Sequence, residues 1–316
     1  MEPGTAKVVI VGAGAVGTTF AYALQIGGAA REIVLIDADK KRVEGEVMDL
    51  NHGLFFTPPV DIRAGDYADC AGARVVVIAA GVKQKPGQSR LSLTGQNVRI
   101  CHSIVDSILQ HTREAILLVV SNPVDVLTYA ALKASGLPPE QVIGSGTVLD
   151  SARFRYLLSR HCGVDPHNVH AYVIGEHGDS ELAAWSMTHI AGARMEEYCP
   201  VCERNCPDSE RAEIAEQVRQ SAYHIIDAKG ATCYGVGLAL EKIVRSILRD
   251  EHSVLTVSRL VNGYCGIEDV CLSLPVVVGR NGAGRLVCTR LSAEEQESLC
   301  ASAGVLKSVL CDVGLQ

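Results

Sequence analysis

The sequence has no tract of clustered basic residues and little excess charge of either sign. Its 29 Lys and Arg residues face 36 Asp and Glu residues, which gives a formal net charge of −7 over 316 residues. A mildly acidic chain without a basic patch is poorly suited to the phosphate backbone of nucleic acids or to an anionic membrane surface. We therefore expect neither as a partner, while binding of small anions at single basic side chains stays open.

Long hydrophobic runs are also lacking, apart from one uncharged stretch at residues 8–30. That length is enough for a membrane span or for the apolar part of a signal peptide. The stretch contains five glycines, however, and Glu2 stands where a signal peptide would carry basic residues. A strand, a glycine turn and a helix account for the same residues better, so we expect a soluble protein.

The twelve cysteines do not resemble a disulfide framework. Such frameworks belong to short secreted chains that cannot build a core, whereas 47% of this sequence is hydrophobic. Only Cys199, Cys202 and Cys206 cluster, and three thiols fall short of the four ligands that a structural zinc site usually has. We predict reduced thiols, no metal and a cytoplasmic location, with a metal at these three cysteines as the alternative.

The first half of the chain alternates short β-branched runs with helical patterns. Nearly unbroken apolar strands separated by helices indicate a doubly wound parallel sheet of the Rossmann type, which binds ligands at the carboxyl ends of its strands. The predicted strands are residues 8–11, 33–36, 75–79 and 116–120. The predicted helices are residues 16–25, 40–50, 91–110 and 124–134.

After residue 147 the alternation ends, and strands gather in pairs between long helices. This pattern predicts a mixed α+β second domain, so we divide the chain into residues 1–147 and 148–316. Helices are expected from about residue 150 and over residues 209–229, 235–249 and 292–313. Strands are expected over residues 170–174, 254–261 and 270–278.

The strongest local motif is the glycine-rich turn between the first predicted strand and helix. Its Gly12, Gly14 and Gly17 follow the spacing G-x-G-x-x-G, and Asp37 ends the second predicted strand twenty residues later. In this context the turn and the helix N-terminus bind a pyrophosphate, and the acid binds the ribose hydroxyls. The carboxylate would repel a 2′-phosphate, so the motif predicts NAD; the alternative is a turn with a packing role alone.

A second group of residues could supply acid–base chemistry. His177 lies between glycines after a predicted strand, and Asp150 and Arg153 are three residues apart, on one face of a predicted helix. A carboxylate that holds a His, beside an Arg that binds a substrate carboxylate, forms a proton-donor site for a small acid. The alternatives are a structural His in a turn and a helix-capping Asp paired with its neighbouring Arg.

Two further polar segments follow predicted strands. Residues 81–90 combine Pro and Gly with Arg90, which suits a loop that closes over the site and stabilises negative charge. Residues 120–125 contain Asn122, which can donate hydrogen bonds to a cofactor or a substrate. A solvated surface loop is the alternative for the first segment.

Taken together, these motifs resemble the L-lactate/L-malate dehydrogenase family over residues 7 to about 314. The matching segments are GAGAVG, the Asp37 strand end, GVKQKPGQSR, SNPVDV, LDSARFR, GEHGDS and KGATCYG. The resemblance implies catalytic roles for His177, Asp150 and Arg90. It implies substrate contacts at Gln84, Arg90, Asn122, Asp125, Asp150, Arg153 and Thr232. It implies NAD contacts at Gly12, Gly14, Val16, Gly17, Asp37, Arg42, Tyr67, Gly81, Val82, Ser103, Val120, Asn122 and Ser145.

The reaction implied by the resemblance is hydride transfer between NADH and a 2-oxo acid, with His177 exchanging the proton. In this family the residue six before the loop Arg separates malate from lactate enzymes, and here it is the neutral Gln84. A neutral side chain leaves the second carboxylate of oxaloacetate unpaired, which favours pyruvate. A dehydrogenase for malate or for larger 2-hydroxy acids is the nearer alternative, and an NAD-binding protein without catalysis is the more distant one.

Two residues outside this group suggest regulation. Arg155 lies about 200° around the predicted helix from Arg153, and His170 lies seven residues before His177. Bacterial lactate dehydrogenases that respond to fructose 1,6-bisphosphate have an Arg and a His at these places, at a subunit interface. The resemblance therefore implies an effector site and a homotetramer, with a surface Arg and a structural His as the alternative.

Overall fold

The computed structural model describes residues 6–82, 90–195, 197–198, 206–287 and 290–316, with the backbone alone for Arg90. Several sequence predictions therefore lie outside the described residues, namely those for Gln84, the Arg90 side chain, Cys199 and Cys202. No helix in the described ranges is both long enough and apolar enough to cross a membrane.

An eight-stranded sheet forms the centre of the molecule, in the order β14-β13-β6-β5-β4-β1-β2-β3. Its first six strands in the chain are mutually parallel, and β13 and β14 from the second half join antiparallel at one edge. The parallel strands are β1 Lys7–Val11, β2 Glu32–Ile36, β3 Asp61–Ala64, β4 Val75–Ile78, β5 Ile116–Val119 and β6 Val142–Gly144. The predicted Rossmann-type sheet is confirmed.

Helices cover both faces of this sheet because alternate strand residues point to opposite sides. In β1, Val9 faces the core layer formed with α3, α4 and α8, while Val8 and Ile10 face the layer formed with α1 and α7. The helices are α1 Ala15–Gly27, α2 Lys40–His52, α3 Arg90–Leu109, α4 Val124–Ser135, α5 Val148–Cys162, α6 Asp208–Lys229, α7 Tyr234–Leu248 and α8 Ala293–Asp312.

Smaller sheets make up the rest of the second half. β7 Val169–His170, β10 His189–Ile190 and β11 Ala193–Arg194 form one sheet, and β8 Val173–Ile174 pairs with β9 Leu182–Ala183. The sheet order β12-β15-β16 joins Ser253–Leu255, Val276–Gly279 and Gly282–Leu286, while β13 is Ser258–Val261 and β14 is Val270–Ser273.

Three strand predictions in the second half are wrong in extent. Each of the segments 170–174, 254–261 and 270–278 divides into two strands that belong to different sheets. In the last of them Pro275 separates β14 from β15, since proline cannot donate a backbone hydrogen bond to a sheet. Apolar periodicity continues through such breaks, which is why the sequence does not show them.

A contact within the second half joins the segment that carries His177 to β14, the edge strand of the main sheet. The backbone of Gly175 exchanges two hydrogen bonds of 2.9 Å with that of Ser273 in β14. The segment that carries His177 is thereby fixed beside the main sheet. The division of the chain at residue 147 stays a prediction.

Candidate active site

The glycine-rich turn after β1 packs too closely for side chains at two of its glycines. Gly12 has a φ of +112°, and a Cβ there would lie 2.6 Å from the Ala80 backbone nitrogen. A Cβ on Gly17 would overlap the carbonyl oxygen of Gly12. These two glycines therefore let α1 begin directly against β1 and the end of β4.

The space above this turn suits a dinucleotide. A Cβ built on Gly14 would meet nothing within 4 Å, and no side chain caps the N-terminus of α1. Free N–H groups at a helix start attract a pyrophosphate. At the end of β2, Asp37 accepts hydrogen bonds from Ala13 N (2.8 Å) and Asp39 N (3.0 Å), which orient its carboxylate beside the turn. The residues present fit the cofactor that the motif predicts.

Most of the other predicted cofactor residues also lie at the carboxyl edge of the sheet. Val16 is in the first turn of α1, Gly81 and Val82 follow β4, Val120 follows β5, and Ser145 follows β6. Tyr67 follows β3 in a short 3₁₀ helix, whereas Arg42 on α2 and exposed Ser103 on α3 stand within helices.

Asn97 on α3 joins two of the loops at this edge, and no motif in the sequence predicts this role. Its Oδ1 accepts a hydrogen bond from Val82 N (2.9 Å), and its Nδ2 donates one to the carbonyl oxygen of Asn122 (2.9 Å). The Asn97 side chain is buried. The Asn97 amide therefore helps to fix the strand-end segments after β4 and β5 relative to each other, together with the hydrogen bond of 2.6 Å from the Ser121 hydroxyl to the carbonyl oxygen of Ala80.

Asp150 connects the two predicted functional cations. Its Oδ2 lies 2.6 Å from Nδ1 of His177, and its Oδ1 accepts a hydrogen bond of 2.8 Å from Nη1 of Arg153. The Asp150 side chain is 1% exposed, whereas that of His177 is 26% exposed. One buried carboxylate thus orients an accessible imidazole and a guanidinium at the same site.

Backbone contacts fix His177 from a second direction. Its N–H donates a hydrogen bond of 2.7 Å to Oδ2 of Asp125, a buried residue in the first turn of α4. Sequence reasoning predicts a substrate contact for Asp125, and the structure places its carboxylate against the backbone of His177. Burial raises the pKa of Asp125 to about 6, against the hydrogen bond and charge of His177.

The charges of this group favour a protonated imidazole. Burial alone would lower the pKa of His177, but the charge and hydrogen bond of Asp150 outweigh it and raise the pKa to about 9. Burial would raise the pKa of Asp150, and the charges of His177 and Arg153 bring it below its ordinary value. At neutral pH the pair is therefore an imidazolium and a carboxylate, ready to give a proton.

A third acid completes the cluster and was missed by sequence reasoning. Glu181 is buried, and its carboxylate lies within 4.8 Å of the Asp150 and His177 polar atoms. It stands four residues after His177, and an acid so close to a catalytic motif was the available signal. Similar spacing occurs in metal sites, but both Asp150 oxygens are already bonded to His177 and Arg153.

The remaining predicted substrate residues stand on other segments of the chain. Asn122 is exposed directly after β5, and Thr232 is half-buried just before α7. α3 begins at Arg90.

Arg155 and His170 belong to a different region. Nε of Arg155 donates to the carbonyl oxygen of Ala171 (2.9 Å), and its guanidinium lies 5.1 Å from the ring centre of Tyr172. Exposed His170 lines a cavity of about 570 Å³, together with Tyr172. The cavity is also lined by the basic or titratable side chains His189, Arg194 and Arg290.

Comparison with known proteins identifies the family of this chain over nearly its whole length. Residues 6–144 match the family model for the NAD-binding domain of lactate/malate dehydrogenases, and residues 147–313 match the model for the α/β C-terminal domain. The chain belongs to the lactate/malate dehydrogenase family. The resemblance predicted from the motifs is confirmed.

Relatives within the family are similar over almost their full length. An L-lactate dehydrogenase of Treponema denticola is 53% identical over 315 residues, covering 99% of this chain and 100% of the relative. One from Thermoanaerobacterium saccharolyticum is 51% identical over 304 residues, with 96% and 98% coverage. The crystal structure of a minor L-lactate dehydrogenase from Enterococcus mundtii, in a ligand-bound form, has a TM-score of 0.96 at 42% identity and covers 99% of both chains.

Membership of the family establishes the class of chemistry. The chain is an NAD-dependent oxidoreductase, built from a Rossmann-type domain and an α/β C-terminal domain. The prediction of NAD from the glycine turn and Asp37 is confirmed.

Proposed function

We propose that this protein interconverts pyruvate and L-lactate with NADH and NAD as the redox pair. The observation that carries the proposal is the bridging of His177 and Arg153 by the buried carboxylate of Asp150. This bridge puts a proton donor and a carboxylate-binding cation side by side, as reduction of a short 2-oxo acid requires.

Different residues of the chain have different roles in the reaction. When NADH is held at the glycine turn and Asp37, the chemistry it would supply is a hydride for the keto carbon. His177 carries a proton on each ring nitrogen when charged, and since Nδ1 is held by Asp150, Nε2 is the atom that protonates the keto oxygen. In lactate oxidation the neutral ring takes the proton back.

Arg153 retains the donors needed to bind the substrate carboxylate. Among the described residues, Asp150 is the one acceptor found for its guanidinium, and that contact uses Nη1. Nη2 and Nε are available for a carboxylate, which guanidinium binds through two parallel hydrogen bonds. By family resemblance, Arg90 stabilises charge on the keto oxygen, and Asn122 and Thr232 contact the substrate.

Substrate choice is assigned to Gln84 on the same resemblance. We expect wild-type kcat/KM to be higher for pyruvate than for oxaloacetate, because Gln84 gives the second carboxylate no partner. In Gln84→Arg we expect kcat/KM for oxaloacetate to rise about 100-fold or more, since a buried carboxylate gains a charged partner. NADH consumption with both acids measures the change.

The control for this change is Gln110→Arg, which adds the same charge at an exposed position after α3 and leaves the ratio of the two substrates unaltered. A wild-type preference for oxaloacetate, or for a larger 2-oxo acid in the same panel, would contradict the pyruvate proposal.

We propose that fructose 1,6-bisphosphate regulates the protein by binding in the basic cavity around His170. The two histidines and two arginines that line it offer donors to phosphate oxygens. Arg155 supports one wall through Ala171 and Tyr172. An effector that binds the active state more tightly lowers the amount of pyruvate needed for half-saturation.

We expect the bisphosphate to lower half-saturating pyruvate about 5-fold or more, within the usual range of coupling between sites. His170→Ala should weaken this response because it removes one donor from the cavity, whereas His111→Ala, an exposed histidine after α3, should keep it. Pyruvate titrations with and without the effector measure both. Superimposable wild-type curves would remove the effector from the proposal.

Assembly and location follow the same resemblance. We propose a homotetramer, in keeping with large apolar side chains that a single chain leaves exposed, such as Phe55, Phe56, Tyr234 and Leu238. We propose a cytoplasmic location, in keeping with the reduced thiols of Cys70, Cys101, Cys233, Cys271, Cys300 and Cys311. Burial raises the pKa of Cys70 to about 11 and of Cys101 to about 12, which fits a packing role.

A further inference from the structure

Glu181 is a buried acid that the mechanism above does not use. It lies immediately before β9 and is 8% exposed. Its carboxylate faces the active-site pair, with polar atoms of Asp150 and His177 within 4.8 Å. In the part of the chain that the structure describes, no hydrogen bond or ion pair to this carboxylate is found. A buried carboxyl group in this position is costly to ionise.

The charged groups around Glu181 show which of them it can influence. Asp150 and Arg153 face it from α5, Arg219 faces it from α6, and His177 faces it from its own segment. Arg153 is bonded to Asp150 at 2.8 Å, and Arg219 is bonded to Glu216 at 2.7 Å. Of these cations, His177 is the one whose protonation the proposed reaction uses, and its contact with Asp150 at 2.6 Å involves Nδ1 alone. The charge of Glu181 can therefore act on the reaction through His177.

We propose that Glu181 is a positioning residue that acts through His177: its carboxylate strengthens the hold of the imidazole on its proton and so favours reduction of the 2-oxo acid. The inference deepens the proposed function and rests on it. Glu181 touches no reacting atom in this scheme. Its charge instead changes the protonation of His177, which does contact the reacting keto oxygen.

The direction of the effect follows from the charges. Burial, and then the charge of Asp150, raise the pKa of Glu181 to about 8. Above that pH its carboxylate is charged and attracts the imidazolium, adding to the attraction of Asp150 and Asp125. Removing the carboxylate therefore lowers the pKa of His177. Keto acid binding needs the imidazolium, and hydroxy acid binding needs the neutral ring, so the two directions of reaction respond oppositely.

The test is the pH profile of kcat/KM in both directions for Glu181→Gln. We expect the alkaline limb for pyruvate and the acid limb for lactate to move about 0.5–1 unit to lower pH. Above pH 8, where the Glu181 carboxylate of the wild type is charged, pyruvate reduction by the variant then falls about 3–10-fold, while lactate oxidation on its rising limb increases by up to a similar factor. A role in packing alone would lower both directions together and move neither limb.

Two variants make this test specific. Glu213→Gln removes an equal charge from an exposed position on α6, and both of its limbs should coincide with those of the wild type. Glu181→Asp keeps a carboxylate and should return the limbs most of the way to their wild-type positions. It also serves as the test variant if the Gln variant fails to fold.

A measurement without turnover gives an independent result. The raised pKa of Glu181 means that the folded state keeps a proton that the unfolded chain has lost. Its contribution to stability is present below pH 4.5 and is lost as the pH rises through 8. At fixed protein concentration, urea unfolding of Glu181→Gln should therefore show a smaller loss of stability over this interval than the wild type.

The outcomes separate the two proposals. If the wild-type protein does not oxidise NADH when any 2-oxo acid is supplied, the proposed function is refuted. A wild type that reduces pyruvate, with limbs unchanged or with equal losses in both directions for Glu181→Gln, refutes the role of Glu181 alone.

Discussion

Replacing His177 with alanine is expected to lower kcat for pyruvate reduction by about 10²–10⁴-fold, the usual contribution of a positioned acid or base. The side chain removed is the one that Asp150 holds protonated, with its pKa raised to about 9. NADH binding should persist, because the glycine turn and Asp37 lie on β1, α1 and β2. Steady-state kinetics and NADH fluorescence titration measure the two effects.

The chain contains a matched control for this variant. His167 also has its Nδ1 2.7 Å from an aspartate, Asp165, but both side chains are exposed. His167→Ala removes an equivalent contact between a histidine and an aspartate outside the site, and its kcat should equal that of the wild type. Near-full turnover in His177→Ala would show that another group supplies the proton.

The second large effect is expected in Asp150→Asn, with kcat/KM for pyruvate falling about 10²-fold or more. Asparagine at position 150 is neutral, so His177 loses the negative charge that outweighs the effect of burial on its pKa. The pKa of His177 therefore falls, and less imidazolium is present at neutral pH. The same change removes the partner of Arg153, which lies 2.8 Å away. A buried cation without its partner is costly, so KM should rise as well.

The measurement for Asp150→Asn is the pH profile of kcat/KM for pyruvate, in which the alkaline limb moves to lower pH as the pKa of His177 falls. Asp165→Asn, in the exposed pair with His167, is the control and should leave the profile unaltered. A variant that keeps the wild-type limb would show that Asp150 orients His177 without setting its charge.

Apolar periodicity predicted the centre of the fold because the central strands are buried on both faces. All residues of β4 and β5 are buried, and the runs of Val, Ile and Leu in them are plain in the sequence. β3 was not predicted, because it is an edge strand with two charged residues among its four. β6 was not predicted either, since three residues are too few to show a period.

The sequence predicts those residues of the site that stand in recognisable motifs. It does not predict those whose position depends on how distant segments pack together. His177, Asp150 and Arg153 stand in two recognisable segments, and the structure brings them within hydrogen-bonding distance. Asn97 and Glu181 have ordinary neighbours in the sequence, and their places depend on which loops and helices meet. Tertiary contacts, which are not encoded in local spacing, determine both.

The antiparallel strands that extend the main sheet limit how this protein can open. Because β13 and β14 continue the same hydrogen-bonded sheet as β6, a hinge between the two halves would have to break backbone pairing and the bond from Thr147 N to the carbonyl oxygen of Thr256 (3.0 Å). The segment that carries His177 is joined to β14 through the backbones of Gly175 and Ser273, so the proton donor belongs to this continuous sheet and not to a separately hinged body.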